Sequence, residues 1–266
     1  MLAPAAIEKI REQTFVAEIE YHLELGSTND LALELVQRDD YATPLLVLAE
    51  NQTAGRGRGS NRWWGGEGAL TFSLLLEPAA ASLPKQASPR VSLATGLAVQ
   101  KGLAELLPDA DIGLKWPNDV YLGYRKVAGI LVEVPPSRPE RLVIGIGINV
   151  NNSFLVAPVG PRAIATSLFD ATGSHFDLAD VLIHVLKQTA ACLERLASAD
   201  ARLFEEWQSL CLLKGHPVRI ESGSRQLVGI CRGIDQEGAL LLDTEAGVER
   251  AFGGVVTRIE PEGGAG

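Results

Sequence analysis

The stretch Ile112–Val134, IGLKWPNDVYLGYRKVAGILVEV, decides the fold. Apolar runs at Ile112–Trp116, Val120–Leu122 and Val127–Val134 are divided by two short turn sequences, Pro117-Asn118-Asp119 and Gly123-Tyr124, and a fourth run follows at Arg141–Val150. Strand-sized apolar runs separated by tight turn residues pair with their neighbours, so the spacing predicts consecutive antiparallel strands. Upstream, Leu45–Glu50 and Ala69–Glu77 are compact apolar runs that read as two more buried strands, flanking a segment at Asn51–Gly68.

Helical periods surround these strands. Ser27-Thr28-Asn29-Asp30 offers an N-cap and an acidic first turn, and Leu31, Leu35 and Val36 then recur at helical spacing through Gln37. Ser88-Pro89 sets a cap and a proline before a long amphipathic pattern, Val91, Ala94, Leu97, Ala98 and Leu103, which should end before Pro108 and cover one sheet face. Asp177–Leu196 carries one apolar stripe, and Ala201–Leu210 reads as a shorter partner helix. From about Lys214-Gly215 the character changes. Val218–Glu221, Leu227–Ile234, Leu240–Leu242 and Val248–Phe252 are short runs between turn residues, which suggests a small all-β barrel, with a frayed tail at Pro261–Gly266.

Composition narrows the function. The 266 residues include 33 Asp+Glu against 24 Lys+Arg, a net charge of −9, which excludes a broadly basic nucleic-acid binder. Apolar runs such as Leu45–Ala49 and Leu74–Leu76 fall far below the roughly 18 residues that a membrane span needs, so no membrane association is expected. Met1–Arg11 lacks the basic start, apolar stretch and cleavage site of a secretory signal, which makes the cytoplasm the expected compartment. Cys192, Cys211 and Cys231 are widely spaced and read as core thiols, and the histidines show no metal-ligand spacing.

Against that acidic background, Gly55-Arg56-Gly57-Arg58-Gly59-Ser60-Asn61-Arg62-Trp63-Trp64-Gly65-Gly66 carries three arginines, five glycines and no acid. Glycines let backbone N–H groups approach a ligand, guanidinium groups grip phosphate or carboxylate, and an indole face can stack on a ring. The segment therefore reads as an anion-binding loop, the plainer alternative being a solvated hairpin. It is neither a dinucleotide fingerprint nor a Walker A loop.

Lys115-Trp116-Pro117-Asn118-Asp119 and Arg125-Lys126 place cations beside apolar strands, where a lysine without an anion is costly. Lys115 and Lys126 are expected to face an acidic ligand, with Asp119 orienting one of them or holding a metal; a surface β-turn is the bland alternative. In Gly145-Ile146-Gly147-Ile148-Asn149-Val150, paired glycines in a strand point either to close approach by a ligand or to a crossing or bulge. No Gly-x-Ser-x-Gly elbow and no nucleophile–histidine pairing is evident, so catalysis by positioning and charge stabilisation remains.

Taken in order, Gly55-Arg56-Gly57-Arg58-Gly59, Lys115-Trp116-Pro117-Asn118-Asp119, Arg125-Lys126-Val127-Ala128-Gly129-Ile130-Leu131 and Gly145-Ile146-Gly147-Ile148-Asn149 closely resemble the motifs of biotin protein ligases. The resemblance runs from Ser27 to Asn149, and the β-rich tail is similar to the SH3-like C-terminal domain of that family. It implies an α+β fold: a mixed, largely antiparallel sheet with helices, of the class II synthetase kind, over residues 1–212, and a small SH3-like β-barrel over 213–262. It implies a two-step reaction in which biotin and ATP give biotinyl-5′-AMP and pyrophosphate, after which a lysine of a biotin carboxyl carrier domain takes the biotinyl group. ATP with Mg2+, biotin as substrate and a biotin-dependent carboxylase such as acetyl-CoA carboxylase are the implied cofactors and partner.

By position, the resemblance assigns Ser27, Thr28, Asn29, Gln52, Gly55 and the Arg56-Gly57-Arg58 backbone to biotin, with Gly129 letting a strand approach it. Lys126 and Arg58 would be catalytic, at the biotin carboxylate and the mixed anhydride. Trp63, Lys115, Asp119 and Asn149 would line the nucleotide side, and no residue is singled out for the metal. Some members carry arginines where this chain has Gly59 and Asn61, which puts the loop's closing contacts in doubt. Repressor members carry a winged helix-turn-helix domain first; only about 26 residues precede Ser27, so no DNA binding is expected. Family members include monomers and dimers, which leaves a homodimer open. Rival readings are a lipoate ligase or octanoyltransferase, which lack this glycine–arginine loop, and a non-catalytic biotin sensor.

Overall fold

A computed structural model describes residues 2–77 and 88–258. The tail expected to fray at 261–266, the last residues of the expected barrel and the capping side chain of Ser88 lie outside the described residues. In chain order the elements are α1 (Pro4–Gln13), β1 (Glu18–Leu25), α2 (Thr28–Leu35), β2 (Leu45–Gln52), β3 (Leu70–Leu76), α3 (Ser88–Leu106), β4 (Ile112–Lys115), β5 (Asp119–Leu122), β6 (Arg125–Glu133) and β7 (Leu142–Ile148). They continue with α4 (Val159–Ile164), α5 (Leu168–Thr172), α6 (Leu178–Ala197), α7 (Arg202–Ser209), β8 (Pro217–Ser222), β9 (Arg225–Ile234), β10 (Leu240–Thr244), β11 (Gly247–Ala251) and β12 (Val255–Arg258).

The first seven strands form one sheet in the order β1-β2-β3-β7-β6-β5-β4. Its run from β2 through β3, β7, β6 and β5 to β4 is antiparallel, and β1 joins β2 in parallel, which makes the sheet mixed as expected. Successive side chains of a strand point to opposite faces, and the central strands feed two apolar clusters accordingly. Leu46, Leu48, Phe72, Leu74, Ile144 and Ile146 pack on the face covered by α3, while Leu45, Val47, Leu75 and Val143 meet Ala32, Leu35 and Val36 at and just beyond α2. This is why β2, β3 and β7 read as continuous apolar runs.

Helix α3 covers the β4–β6 face as expected, but it is not amphipathic. Residues 91–99 are buried on every side because α6 packs over its outer surface. Gly102 permits that approach, since a Cβ there would sit 2.9 Å from Val185 Cα. Sheet, α3 and α6 thus stack as three layers. Helices α1, α4 and α5 and strands β1 and β12 are the elements that the sequence pattern did not give.

The last five strands form a second, antiparallel sheet in the order β11-β10-β9-β8-β12. It shares the main core: Val218, Ile220, Cys231, Leu240 and Leu242 belong to the same cluster as Trp116 and Leu213. Trp116, fully buried, donates its indole N–H to Gly238 O at 3.0 Å. Leu114 exchanges backbone hydrogen bonds with Leu210 and Leu212 at 2.8 and 2.9 Å, which closes the β4 edge of the first sheet. The three cysteines are free thiols inside or against this core, and burial pushes Cys192 up to about 11. Among the described residues no helix is long and apolar enough to cross a membrane.

Candidate functional site

The start of α2, the end of β2, the glycine–arginine loop, the β4–β5 turn, β6, β7 and the β11–β12 turn border one cavity of about 420 Å³. Local sequence explains how each contributes. Ser27 caps α2 by accepting from the Asp30 N–H, which leaves Thr28 and Asn29 buried in the first helical turn at the cavity wall. The loop is a small hairpin: Trp63 N–H donates to Gly55 O at 3.0 Å and Gly57 N–H donates to Asn61 O at 2.8 Å. Its tip turns at Gly59, whose φ of +66° suits a glycine.

One end of the cavity is hydrogen-bonded, and the charges beside it are paired with one another. Thr28 N–H donates to Gln52 Oε1 at 2.7 Å, with Thr28 Oγ1 at 3.1 Å from the same oxygen. Ser73, fully buried on β3, lies 2.8 Å from Thr28 Oγ1 and 2.6 Å from Asn29 Oδ1. Asn29 Nδ2 donates to Glu133 Oε2 at 2.8 Å. The Arg56 guanidinium also goes to acids here, to Asp30 at 2.6 Å and Glu133 at 2.7 Å. Arg56 therefore fastens the loop to α2 and β6 rather than standing as a free cation.

The other end is cationic. Lys126 Nζ lies 2.6 Å from Asp119 Oδ1 and 5.8 Å from the centre of the Trp63 ring system. Lys115 Nζ lies 5.5 Å from the Tyr121 ring centre, and burial pulls its pKa below the usual lysine value, with Asp119 opposing and Lys126 adding to the shift. Burial, helped by Asp119, pushes Tyr121 up to about 12. Arg58, half-buried and lowered by that burial, donates to the carbonyl of Gly254 at the β11–β12 turn. Arg62 completes this wall. Asp119 is the one carboxylate lining the cavity among the described residues, and it is paired with Lys126.

The floor is glycine. A Cβ at Gly147 would fall 2.4 Å from the Trp63 ring, one at Gly145 would fall 2.0 Å from Asn29 Oδ1, and one at Gly129 would fall 2.9 Å from Lys126 Nζ. The β7 register is regular on both sides, so the paired glycines mark neither a bulge nor a crossing. What comes close to them is the chain's own Asn29 and Trp63. Trp64 turns the other way, onto Phe154 at 5.1 Å between ring centres.

Of the residues singled out from the sequence, Ser27, Thr28, Asn29, Gln52, Arg56, Gly57, Arg58, Trp63, Lys115, Asp119, Lys126 and Gly129 are brought together around this cavity. Gly55 sits at the loop's base as an acceptor for Trp63, and Asn149 lies buried behind the wall, where its Oδ1 accepts from Asn152 at 3.2 Å. Sequence reasoning missed Ser73, Tyr121 and Glu133 and the reach of Gly254–Val256 from the second sheet. A serine in the apolar run of β3, which holds one other hydroxyl at Thr71, was the signal available for Ser73.

Residues 24–149 match the model of the Biotin/lipoate A/B protein ligase family, and residues 215–254 match that of the Biotin protein ligase C terminal domain. The chain is 35% identical over 240 residues to the Bifunctional ligase/repressor BirA of Bacillus subtilis, covering 87% of this chain and 71% of that one. It is 36% identical over 221 residues to the Biotin--[acetyl-CoA-carboxylase] ligase of Mycobacterium tuberculosis, covering 82% and 80%. Among solved structures it resembles the biotin protein ligase from Aquifex aeolicus in complex with biotin and ATP, with a TM-score of 0.79, 30% identity and coverage of 91% of this chain and 100% of that one.

Proposed function

The chain belongs to the biotin/lipoate A/B protein ligase family, as one of its biotin protein ligases, and from that premise we propose that it joins biotin to protein in two steps through this cavity. The observation that carries the reading is the two-ended cavity. Biotin has a neutral, hydrogen-bonding ring head and an anionic tail; the cavity has a neutral polar end at Thr28, Asn29 and Gln52 and a cationic end at Lys115, Lys126, Arg58 and Arg62.

In the first step a biotin carboxylate oxygen attacks the α-phosphorus of ATP, an acyl–phosphate bond forms, and pyrophosphate leaves. Two unit anions about 4 Å apart repel by about 4 kcal/mol at an effective dielectric near 20, so the step needs a cation between them. Lys126 is the proposed bridge, released from Asp119 as the substrates enter, with Arg58 holding the charge of the mixed anhydride. Ser27, Gly55, Gly57 and Gly129 are proposed to shape the biotin side, and Trp63, Lys115, Asp119 and Asn149 the nucleotide side. Asp119, the one carboxylate lining the cavity among the described residues, would be the protein group to hold a magnesium ion accompanying ATP, which would offset phosphate charge there.

In the second step the neutral ε-amine of an acceptor lysine attacks the acyl carbon, AMP leaves, and an amide forms. The acceptor we propose is the carrier domain of a biotin-dependent carboxylase. We place the boundary between the catalytic domain and the SH3-like domain after residue 212. The test is ATP- and biotin-dependent mass gain on the single target lysine of a carrier domain, with lipoate in parallel. Biotin transfer alone is expected; lipoate transfer in its place, or biotin binding without transfer, would overturn the reading.

A further inference from the structure

Beyond Lys126 the sheet carries a further donor, the Tyr121 hydroxyl. Gln52 stands on β2, Ser73 on β3, Gly145 on β7, Lys126 on β6, Tyr121 on β5 and Lys115 on β4, and those strands are neighbours in that order. With about 4.8 Å between strands, the β5 and β4 residues lie about 5 and 10 Å past Lys126, on the side away from the neutral end. A shift in the β5–β6 register between Val120 and Tyr121 sets Tyr121 directly opposite Lys126, and both line the cavity.

Lys115 Nζ lies 3.5 Å from the Tyr121 hydroxyl oxygen. An ammonium donates and cannot accept, so the phenol accepts in this contact and its own hydrogen is left unused there. Arg56, Arg58 and Lys126 each meet a protein acceptor. Among the described residues nothing accepts from the Tyr121 hydroxyl, and Asp119, the carboxylate of the cavity, is already paired with Lys126.

An in-line displacement at phosphorus puts the leaving group on the far side from the attacking oxygen. With the biotin carboxylate reaching Lys126 from the neutral end, that far side is the β5–β4 side of the cavity. We propose that Tyr121 is a further binding residue for the leaving pyrophosphate: beside Lys115, its hydroxyl donates a hydrogen bond to an oxygen of the β- or γ-phosphate. The electron pair of the broken phosphorus–oxygen bond leaves with the pyrophosphate, and Tyr121 transfers no proton. This rests on the adenylation reading above.

Tyr121→Phe keeps the ring beside Lys115 and removes only the hydroxyl. Biotin transfer to a carrier domain by the intact chain, run at varied ATP and with added inorganic pyrophosphate, tests the proposal. These phosphates are charged and bound alike before and during the displacement. KM for ATP is therefore expected to rise roughly 10- to 100-fold with kcat nearly unchanged, and inhibition by pyrophosphate to weaken by the same factor. Calorimetric affinity for biotin is expected to stay unchanged, as is the rate of transfer from preformed biotinyl-5′-AMP, which carries no pyrophosphate. Tyr121→Leu carries the test should the phenylalanine variant fail to fold. Unchanged pyrophosphate inhibition in a folded variant would overturn this proposal alone, as would an equal loss in biotin affinity or in transfer from the adenylate. A wild-type chain that makes no biotinyl-5′-AMP would overturn the functional reading and this proposal with it.

Discussion

The two ends of the cavity are built on opposite principles. At the neutral end, Gln52, Thr28, Ser73, Asn29, Glu133 and Arg56 form a continuous run of hydrogen bonds, fixed before any ligand arrives. At the cationic end, Lys126 is held by a single carboxylate, Lys115 is half-buried beside an aromatic ring, and Arg58 reaches a backbone carbonyl of the other sheet. The first arrangement recognises shape and donor pattern. The second keeps positive charge poorly satisfied until anions enter, which favours a transition state richer in negative charge than the resting site.

The most severe way to break this division is Lys126→Ala. Removing the cation between two anions forfeits about 4 kcal/mol, so pyrophosphate release is expected to slow by about 10³-fold in a chain that still folds. Calorimetric binding of biotin is expected to weaken far less, because the neutral end is untouched. Normal pyrophosphate release by the folded variant would remove Lys126 from the chemistry.

Gly145→Ala attacks the other end. The new methyl would lie 2.0 Å from Asn29 Oδ1, so Asn29 must leave Ser73. Roughly 10- to 100-fold higher KM for biotin is expected with kcat nearly unchanged, read from steady-state adenylation. Equal loss in kcat would show that the two ends are one unit.

Trp116→Phe sharpens the comparison from outside the cavity. It keeps most of the buried area but removes the donation to Gly238 that ties the β4–β5 turn to the second sheet. Denaturant unfolding is expected to show about 1–3 kcal/mol lost through the orphaned carbonyl and the smaller ring. A loss within about 0.5 kcal/mol, on that same scale of hydrogen-bond energies, would mean that the Trp116 donation does not help hold the second sheet in place.

How much of this was legible in the sequence follows the same division. The cations, the loop glycines and the glycine floor stood out because each is anomalous where it occurs: arginines in an acidic chain, lysines entering apolar strands, small residues inside a strand. The neutral end was half visible. Thr28, Asn29 and Gln52 could be placed, but Glu133 gains meaning only when the fold sets the end of β6 beside the first turn of α2. Gly254 is 196 residues from Arg58, and no local pattern announces such a contact. The α3 pattern misled for a related reason: a helix buried between a sheet and another helix has no polar face to read.

The smallest effect is a pH slope confined to the cationic end. Lys115 has a folded pKa below 10.5 because burial disfavours its charge. Between that folded value and 10.5 the unfolded chain binds more protons than the folded one, so stability attributable to Lys115 rises with pH. Lys115→Met has no such group. The stability of the wild type relative to this variant is therefore expected to climb from neutral pH toward 10.5. Tyr121 works in the reverse sense: its folded value of about 12 exceeds the usual tyrosine value of 10.0, so its contribution falls as pH passes 10. Unfolding compared from about pH 7 to about pH 9.5 isolates the lysine. A flat or falling difference would mean that Lys115 is not strained by burial. Ser73→Ala, at the end with no titrating cation, is expected to lose the same stability at every pH in that range, and a matching slope there would erase the distinction between the two ends.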